Sequence, residues 1–409
     1  MKLLHTADWH IGRSLYGRKR YDEFESYLNW LAETIQNRKI DVLLVAGDIF
    51  DNNSPSNRSQ ELYYRFLCKI ANSCCRHVVI IAGNHDSPSF LNAPRQLLKA
   101  LNVHVTGHAM ENLEDEVLVL KDQSGKPELI VCAVPYLRDR DIRTAEAGES
   151  IEDKERKLVD GIKQHYANVA ELSERKRAEL GVEIPIVAMG HLFTAGGQTV
   201  DGDGVRELYV GTLAHVSDAI FPAVFNYVAL GHLHIPQTVR GSERIRYSGS
   251  PIPMGFGEAT QKKGLCQVDF QGADGSVELI EIPCFQRLES IKGDLPKIKN
   301  RLLELSADKN STWTEVIYEG DEVVGDLRDL IEEMVKGNGL EILRIKNNRL
   351  MKKTLGDSAS QETLDDLNEN EVFERCLIFH EVSKDQWPDL LNAYQEILTS
   401  VNEVDLNAE

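Results

Sequence analysis

The chain has few cysteines, and their spacing suggests neither a disulfide framework nor a zinc site. Its 409 residues include seven cysteines, of which Cys74 and Cys75 are adjacent and no two form a CxxC pair. Secreted disulfide scaffolds use even sets of cysteines, and zinc ribbons use paired CxxC units. We therefore expect reduced, buried thiols and a cytoplasmic protein.

Long apolar runs are also missing. No stretch approaches the roughly 18 residues that a membrane span requires, and the opening "MKLLHTAD" resembles a signal peptide only until His5 and Asp8 interrupt it. Hydrophobic residues make up 42% of the chain and charged residues 27%, which is typical of a globular protein without membrane contact. The length exceeds that of one ordinary domain.

An excess of basic charge is the third absence, because the formal net charge is −19. A protein that wraps nucleic acid unaided normally presents a basic face, so this balance argues against strong binding of DNA by the chain alone. One local cluster, "GRSLYGRKR", holds Arg13, Arg18, Lys19 and Arg20. It is equally compatible with phosphate contacts and with an ordinary solvated loop.

Strand-like and helix-like segments alternate over the first half of the chain. Five short runs rich in Val, Ile and Leu predict strands buried on both faces, and stretches with apolar residues at helical spacing lie between them. Such alternation predicts layered α/β architecture. The five runs are Lys2–Leu4, Val42–Ala46, Val78–Ala82, Ile184–Met189 and Tyr227–Leu230, and the predicted helices are 21–38, one after Ser54-Pro55, and one from Ser87-Pro88 to Leu101.

Further segments complete the expected organisation. We predict a large α/β domain over 1–283, a small α+β domain over 284–348, a polar linker over 349–370 and a helical C-terminal segment over 371–409. In the small domain, the pattern from Leu288 onward reads as helix, strand, helix, strand. Additional predicted elements are strands at Leu129–Val134, Glu207–Val210, Arg244–Ser248, Leu265–Phe270 and Val277–Ile282, and a charged, solvated helix at Ile151–Leu180.

A shared pattern follows the five apolar runs. They lead into "ADWH", "AGDIFD", "AGNHD", "MGHL" and "LGHLH", and in four of them a glycine stands directly before a side chain that can bind metal. Glycine permits a sharp turn and a close backbone approach. Since open α/β sheets carry ligand sites at the carboxyl ends of their strands, these side chains are expected to converge.

The converging side chains offer oxygen and imidazole ligands, with no thiolate among them. This chemistry favours divalent ions such as Mn²⁺, Mg²⁺ or Fe²⁺ over structural zinc. Seven ligands are too many for one ion with an open position, but with one bridging carboxylate they give four bonds to each of two ions. Two such ions can activate water and stabilise a phosphoryl displacement. The candidates are Asp8, His10, Asp48, Asn84, His191, His232 and His234.

The first motif also predicts a local geometry. On an extended segment Asp8 and His10 would point the same way, while Trp9 would face the core. His5, three residues before Asp8 on the preceding strand, is expected to lie in the core or to support the site.

The five motifs resemble the calcineurin-like metallophosphoesterase family, whose pattern is DxH, GDxxD, GNHD, GH and GHxH. The resemblance implies a four-layer α/β/β/α sandwich, one ion held by Asp8, His10, Asp48 and His234, and a second held by Asp48, Asn84, His191 and His232. It also implies catalytic roles: His85 facing the scissile phosphate and Asp86 orienting the His85 ring. Asp51 is given a supporting role only.

The segments "VVIIAGNHDSP", "NYVALGHLH" and "RYSGSPIPMGFGE" are similar to the recombination-nuclease branch of this family. That similarity implies a manganese-dependent nuclease for duplex ends, hairpins and single strands, acting in DNA repair at the nucleoid. It further implies that the small domain over 284–348 is a DNA-capping domain. A homodimer formed through Arg58–Ile70 and Ser89–Leu101, assembled with a coiled-coil ATPase that binds Glu371–Val401, is implied as well.

Two alternatives share the same scaffold. A small-molecule phosphodiesterase or phosphatase would explain the motifs and the negative charge but leaves the region after Pro283 without a role. A non-catalytic assembly scaffold would be expected to have lost ligands, and all seven are present.

Overall fold

The computed structural model describes residues 1–142, 150–194, 217–307, 311–320, 324, 327–336 and 339–347, and single positions between 373 and 394. The chain divides into two compact units, Met1–Leu288 and Glu289–Glu409. The predicted linker 349–370, the predicted strand Glu207–Val210 and most of the predicted segment 371–409 lie outside the described residues. Among the described helices, none has the length and apolar character needed to cross a membrane.

The described residues of the first unit form two six-stranded sheets and the helices that flank them. Its strands are β1 (Lys2–Thr6), β2 (Ser14–Leu15), β3 (Arg18–Lys19), β4 (Val42–Ala46), β5 (His77–Ile81), β6 (Val103–Thr106), β7 (Val117–Lys121), β8 (Pro127–Ala133), β9 (Ile186–His191), β10 (Tyr227–Gly231), β11 (Gln237–Val239), β12 (Ser242–Tyr247), β13 (Gly264–Gln271) and β14 (Asp274–Glu281). Its α-helices are α1 (Tyr21–Arg38), α2 (Asn57–Ala71), α3 (Pro88–Asn92), α4 (Arg95–Lys99), α5 (Asp139–Ile142) and α6 (Ile151–Leu180).

The two sheets pack face to face and helices cover both outer faces. The strand orders are β14-β13-β1-β4-β5-β6 and β11-β12-β10-β9-β8-β7. Leu44 and Ile81 from the first sheet share a buried cluster with Val131 and Met189 from the second. Helices α1 and α2 bury their apolar sides on the first sheet, and α6 covers the second. The expected α/β/β/α sandwich is therefore confirmed.

The five predicted apolar strands are confirmed, and they are divided between the sheets. Strands β1, β4 and β5 run parallel in the first sheet, whereas β9 and β10 run parallel in the second. The carboxyl ends that carry the motifs thus come from two sheets and not from one edge of a single sheet. All five are buried on both faces because each lies between the inter-sheet core and a helical layer.

The single helix expected from Ser87 to Leu101 is wrong. The structure has two five-residue helices there, α3 and α4, because Pro94 lies between them and lacks the N–H that a continuous helix needs. Ser87 caps α3 by accepting from the Phe90 N–H. The exposed fraction of Leu97 is 72% and that of Leu101 is 38%, so the pair of helices leaves apolar surface uncovered.

Up to Asn347, the described part of the second unit forms a three-stranded sheet and two helices. Its elements are β15 (Arg287–Gly293), which begins at the end of the first unit, α7 (Leu295–Ser306), β16 (Thr312–Tyr318), α8 (Leu327–Val335) and β17 (Leu340–Asn347), with sheet order β15-β16-β17. The helix predicted from Leu288 is wrong at its start. Asp294 caps α7 and Pro296 lies in its first turn, so the preceding residues form a strand.

The observed burial of side chains corrects two expectations, one about the basic cluster and one about the cysteines. Of the candidate basic cluster, Arg20 is buried, where its Nε donates to Glu23 Oε2 at 2.7 Å and its Nη1 to the Pro253 carbonyl at 2.7 Å. Arg18 and Lys19, on the β2–β3 hairpin, are exposed. The six cysteines among the described residues are free thiols as expected, but Cys68 and Cys284 are exposed and not buried.

We expect Arg20 to stabilise the fold and not to contact DNA. Arg20→Met should lower the free energy of unfolding by about 3 kcal/mol, because it leaves the Glu23 carboxylate buried without its partner. Urea denaturation followed by circular dichroism measures this change. Lys19→Met is the matched control and should stay within about 0.5 kcal/mol of the wild type. Equal stability of the two variants would contradict the structural role of Arg20.

Candidate metal centre

The loops after β1 and β4 begin the site, and they are held together by their main chains. The N–H groups of Asp8, His10 and Ile11 donate to the carbonyls of Gly47, Asp48 and Ile49 at 3.0, 2.9 and 3.0 Å. This ladder continues past the point where β1 ends and keeps the two loops in register. Asp8, His10 and Asp48 are themselves candidate ligands, so these main-chain hydrogen bonds fix the positions from which their side chains project.

The backbone of these ligands is not extended. Asp8, His10 and Asp48 have φ values of 54°, 48° and 49°, and His232 has 101°. Non-glycine residues rarely adopt this region, and each such conformation costs about 1–3 kcal/mol. The expectation that Asp8 and His10 project from an extended segment is therefore wrong. Trp9 lies in the core as expected, and its indole N–H donates to Thr6 Oγ1 at 3.0 Å.

Two glycines permit the close approach of the loops. A β carbon on Gly83 would overlap the carboxylate and main-chain nitrogen of Asp48, and one on Gly231 would overlap the Ala46 carbonyl and approach His191 Nδ1 to 2.8 Å. The glycine-before-ligand pattern thus serves packing between neighbouring strand ends as well as turning.

One carboxylate lies between two groups of imidazoles. Asp48 Oδ2 is 3.5 Å from His10 Nε2 and 3.3 Å from His191 Nε2. On one side, Asp8, His10 and His234 place ligand atoms within 4.8 Å of one another, and Asp8, Asp48 and His191 form a second such group. Asp48 therefore lies where a carboxylate that bridges two cations would lie.

Asn84 and His232 join the group on the other side. Asn84 Oδ1 lies 3.0 Å from His191 Nε2 and 3.1 Å from His232 Nδ1. All seven predicted ligands are therefore brought together. Separations near 3 Å are what adjacent ligands show around an octahedral ion with bonds of about 2.1 Å.

Hydrogen bonds on the far side of two rings fix which nitrogen faces the centre. His191 Nδ1 lies 2.9 Å from the Ala46 carbonyl, and His234 Nδ1 lies 3.1 Å from Glu258 Oε1. A carbonyl or an ionised carboxylate can only accept, so Nδ1 carries a hydrogen and Nε2 is the nitrogen left to face a metal ion. A ring nitrogen without a hydrogen is the atom through which histidine binds a metal ion.

Some ligand atoms have no hydrogen-bond partner among the described residues. They are Asp8 Oδ2 and both ring nitrogens of His10, all of which are buried. Buried polar atoms are nearly always paired. A donor set of carboxylate, amide oxygen and imidazole, with buried atoms that lack hydrogen-bond partners, fits divalent cations.

The charges of the site also favour a cation. Burial raises the pKa of Asp8 to about 7 against the opposing influence of His191 and His234. Burial also acts to lower the pKa of His191, but Asp48 and Asp8 reverse the effect and raise it to about 9. Both shifts show that positive charge, whether a proton or a metal ion, stabilises this group of residues.

His85 and Asp86 lie beside the ligands in different roles. His85 Nδ1 lies 2.9 Å from the main-chain carbonyl of Asp51, and its own N–H donates to Asp48 Oδ1 at 2.9 Å. The expected contact of Asp86 with the His85 ring is wrong. Asp86 instead accepts from the N–H groups of Gly83, Ile49 and Phe50 at 2.8, 3.1 and 3.0 Å, which joins the loops after β4 and β5.

Three supporting residues surround the site. Asp51 Oδ1 lies 3.4 Å from His10 Nδ1 and 3.1 Å from Arg13 Nη1, so the supporting role given to it fits its position. Glu258 and Lys263 were missed by sequence reasoning, because neither belongs to the five ligand motifs and their contact with His234 is made only by the fold. Glu258 is the last residue of "RYSGSPIPMGFGE", but that segment alone does not indicate which residue it contacts. His5 is a core residue, bonded to Tyr227 and Leu230.

Comparison with known proteins agrees with this geometry. Residues 1–236 match the family model described as calcineurin-like phosphoesterase, and residues 284–381 match the SbcD_C model, described as type 5 capsule protein repressor C-terminal domain. A dimetal phosphatase from Danio rerio overlaps 69% of this chain and 98% of its own at 12% identity, but its TM-score of 0.37 is too low to bear on function. Fold and site together define a metallophosphoesterase.

The curated relatives show to which family of metallophosphoesterases the chain belongs. The SbcD subunit of nuclease SbcCD from Escherichia coli K12 is 35% identical over 408 residues, which are 97% of this chain and 98% of the relative. Proteins of the same name from Rhodobacter capsulatus and Bacillus subtilis are 36% and 33% identical over 66% of this chain and 67% and 66% of their own lengths. The chain belongs to this SbcD family of calcineurin-like phosphoesterases, which confirms the similarity to the recombination-nuclease branch.

The close packing at Gly83 has a measurable consequence. Gly83→Ala should displace the Asp48 carboxylate from its place between His10 and His191, because the added methyl group overlaps it. We expect divalent ions to bind at least tenfold more weakly, measured by calorimetric titration of the purified protein with Mn²⁺. In Gly264→Ala the new β carbon meets nothing nearer than 3.3 Å, so that variant should bind as the wild type does. Unchanged binding in Gly83→Ala would contradict the packing argument.

Proposed function

We propose that this chain is the two-metal nuclease subunit of an SbcCD-type complex, which cuts DNA together with an SbcC-type ATPase. The observation that carries the proposal is the position of Asp48 Oδ2 between His10 Nε2 and His191 Nε2. The family supports it, because its curated members are named nuclease subunits and one of them matches nearly the whole chain. We include exonuclease action on duplex ends and endonuclease action on single strands and hairpins.

The residues present fit two divalent ions, for which Mn²⁺ is our assignment. Asp8, His10 and His234 would hold one, Asn84, His191 and His232 the other, and Asp48 both. When bound, such ions lower the pKa of water and stabilise charge on a phosphoryl group. Imidazole and carboxylate ligands without thiolate suit manganese or iron.

We assign His85 the role of stabilising charge on the phosphate and protonating the leaving oxygen. Its ring is fixed through Nδ1 on the Asp51 carbonyl, which leaves Nε2 to act on substrate. Asp86 acts indirectly, because its three main-chain hydrogen bonds hold Gly83 and the loop after Asp48 in place.

The acidic chain can act on DNA because the relevant charge is local. Fixed charges beyond about 8–10 Å are largely screened at cellular salt, whereas two divalent ions beside two carboxylates leave the centre positive. The exposed Arg18 and Lys19 are the members of the basic cluster that we assign to phosphate contacts. Weak intrinsic affinity for DNA is expected, and the ATPase partner would supply much of the binding.

The assembly that we propose is a homodimer within a heterotetramer located at the cytoplasmic nucleoid. Support for the dimer comes from α3 and α4, where Leu97 and the nearby Leu101 are exposed. The neighbouring α2 presents Arg58 and Arg65, both paired with Glu25 at the surface. The ATPase would bind the C-terminal segment 371–401, most of which lies outside the described residues.

The proposed bridging role of Asp48 predicts the behaviour of its alanine variant. Asp48→Ala should lose both ions, because each loses a charged ligand, and the metal content measured by mass spectrometry should fall from two ions per chain to none. Asp274→Ala, at the exposed end of β14, should keep both. Two ions in Asp48→Ala would refute the bridge.

The function itself is tested with Mn²⁺-loaded protein, alone and with its ATPase partner, on labelled duplex, hairpin and single-stranded DNA. Cleavage is expected, and His85→Ala should keep both ions yet cut roughly a hundredfold or more slowly, the usual scale for such a group. Hydrolysis of p-nitrophenyl esters with DNA left whole would favour the small-molecule phosphodiesterase. Intact DNA and esters in a fully loaded protein would favour the assembly scaffold.

A further inference from the structure

A buried ion pair lies directly behind one of the candidate ligands. The side chains of Glu258 and Lys263 are 0% and 4% exposed, and Lys263 Nζ is hydrogen-bonded to Glu258 Oε2. Taking two charges out of water costs several kcal/mol for each ion, so a buried pair contributes little net stability. Its place in the fold therefore calls for another explanation.

The pair holds His234 at two points. Glu258 Oε1 lies 3.1 Å from the Nδ1 of the ring, and Lys263 Nζ donates to the main-chain carbonyl of His234 at 3.0 Å. The first contact orients the ring and fixes its tautomer, while the second fixes the backbone from which the ring projects. His234 itself belongs to the group formed with Asp8 and His10.

The Glu258 carboxylate is itself fixed from several directions. Its Oε2 accepts from the Met254 N–H at 2.9 Å, in addition to Lys263, and lies 3.5 Å from Ser250 Oγ. Lys263 Nζ also donates to Ser250 Oγ at 3.0 Å. The carboxylate cannot rotate away from His234 without breaking these bonds.

Two other histidines of the centre have no fully buried carboxylate beside Nδ1. His191 Nδ1 meets the uncharged Ala46 carbonyl, and His10 Nδ1 lies 3.4 Å from the half-buried Asp51. A fully buried carboxylate behind an imidazole makes the ligating nitrogen more basic, and removing such a partner typically weakens metal binding about 10–100-fold. Glu258 is placed to exert this effect on one ion.

We infer that Glu258, fixed by Lys263, is a positioning residue that orients His234 and sets the affinity of the ion shared by Asp8, His10 and His234. The inference rests on the proposed metal centre. It assigns the segment 250–263, which contains none of the five motifs, a direct part in building that centre. It also predicts unequal effects on the two ions.

The test is Mn²⁺ titration of full-length Glu258→Gln in the absence of DNA, by calorimetry and by electron paramagnetic resonance. One ion should bind about 10–100-fold more weakly and the other within about threefold of the wild type, so that signals of a coupled manganese pair give way to those of single ions. Equal binding of both ions, as in the wild type, would overturn the inference, as would equal weakening of both.

Glu116→Gln is the matched control. Glu116 is also fully buried and pairs with a histidine, at 2.7 Å from His165 Nε2, but it is not part of the centre. Its substitution should leave both affinities unchanged. The same loss in Glu116→Gln as in Glu258→Gln would show a general effect on folding and overturn the inference.

A double variant separates action through His234 from a broader structural effect. In a His234→Ala background, Glu258→Gln should cause no further loss of metal affinity, whereas a further loss as large as in the wild-type background would refute the pathway. Should Glu258→Gln fail to fold, Glu258→Asp keeps the charge beside Lys263 but is too short to reach Nδ1. It should show the same selective loss, and wild-type binding of both ions would count against the inference.

The wild-type titration distinguishes this inference from the proposed function. Two Mn²⁺ ions per wild-type chain, with Glu258→Gln indistinguishable, would remove the role of Glu258 and leave the two-metal centre standing. Fewer than two ions in the wild type would overturn both.

Discussion

The structure depends on the convergence of two buried carboxylates and several imidazole lone pairs on one small volume. Asp8 and Asp48 are 0% and 2% exposed, and bringing such groups together without a cation is unfavourable because burial penalises their charge. The rest of the first unit accommodates this constraint. Two sheets end at the same place, glycines let neighbouring loops approach closely, and four ligands accept backbone conformations with positive φ. Strain of this kind persists at functional sites because the surrounding structure enforces it.

Much of this arrangement could be predicted from local patterns. The apolar runs that became β4 and β10 were recognisable because strands buried on both faces contain few polar residues. The polar residues directly after them could be assigned to one site because open α/β sheets carry ligand sites at the carboxyl ends of their strands. The division of those strands between two sheets could not be predicted, since an apolar run does not specify which partners it will pair with.

Other features escaped sequence reasoning for identifiable physical reasons. Apolar residues keep helical spacing on both sides of Pro94, so the sequence predicts one helix. In the structure the helix is interrupted there, because proline lacks the N–H that a continuous helix needs. Asp86 was assigned by analogy to a ring that it does not touch, because main-chain donors leave no trace in a sequence. Glu258 lies 24 residues from His234, and only the path of the chain after β12 brings the two together. Tertiary contacts of this kind decide which polar residues support a site.

The hydrogen bonds of Asp86 have a mechanical consequence. Because the Asp86 carboxylate accepts from the N–H groups of Ile49, Phe50 and Gly83, it links the loop that carries Asp48 to the loop that carries Asn84. His191 and His232 come from the second sheet and face these two loops. A motion that opens or closes this centre would therefore act between the sheets and not within one. It would pull on the contacts that Asn84 Oδ1 makes with both histidines, at 3.0 and 3.1 Å.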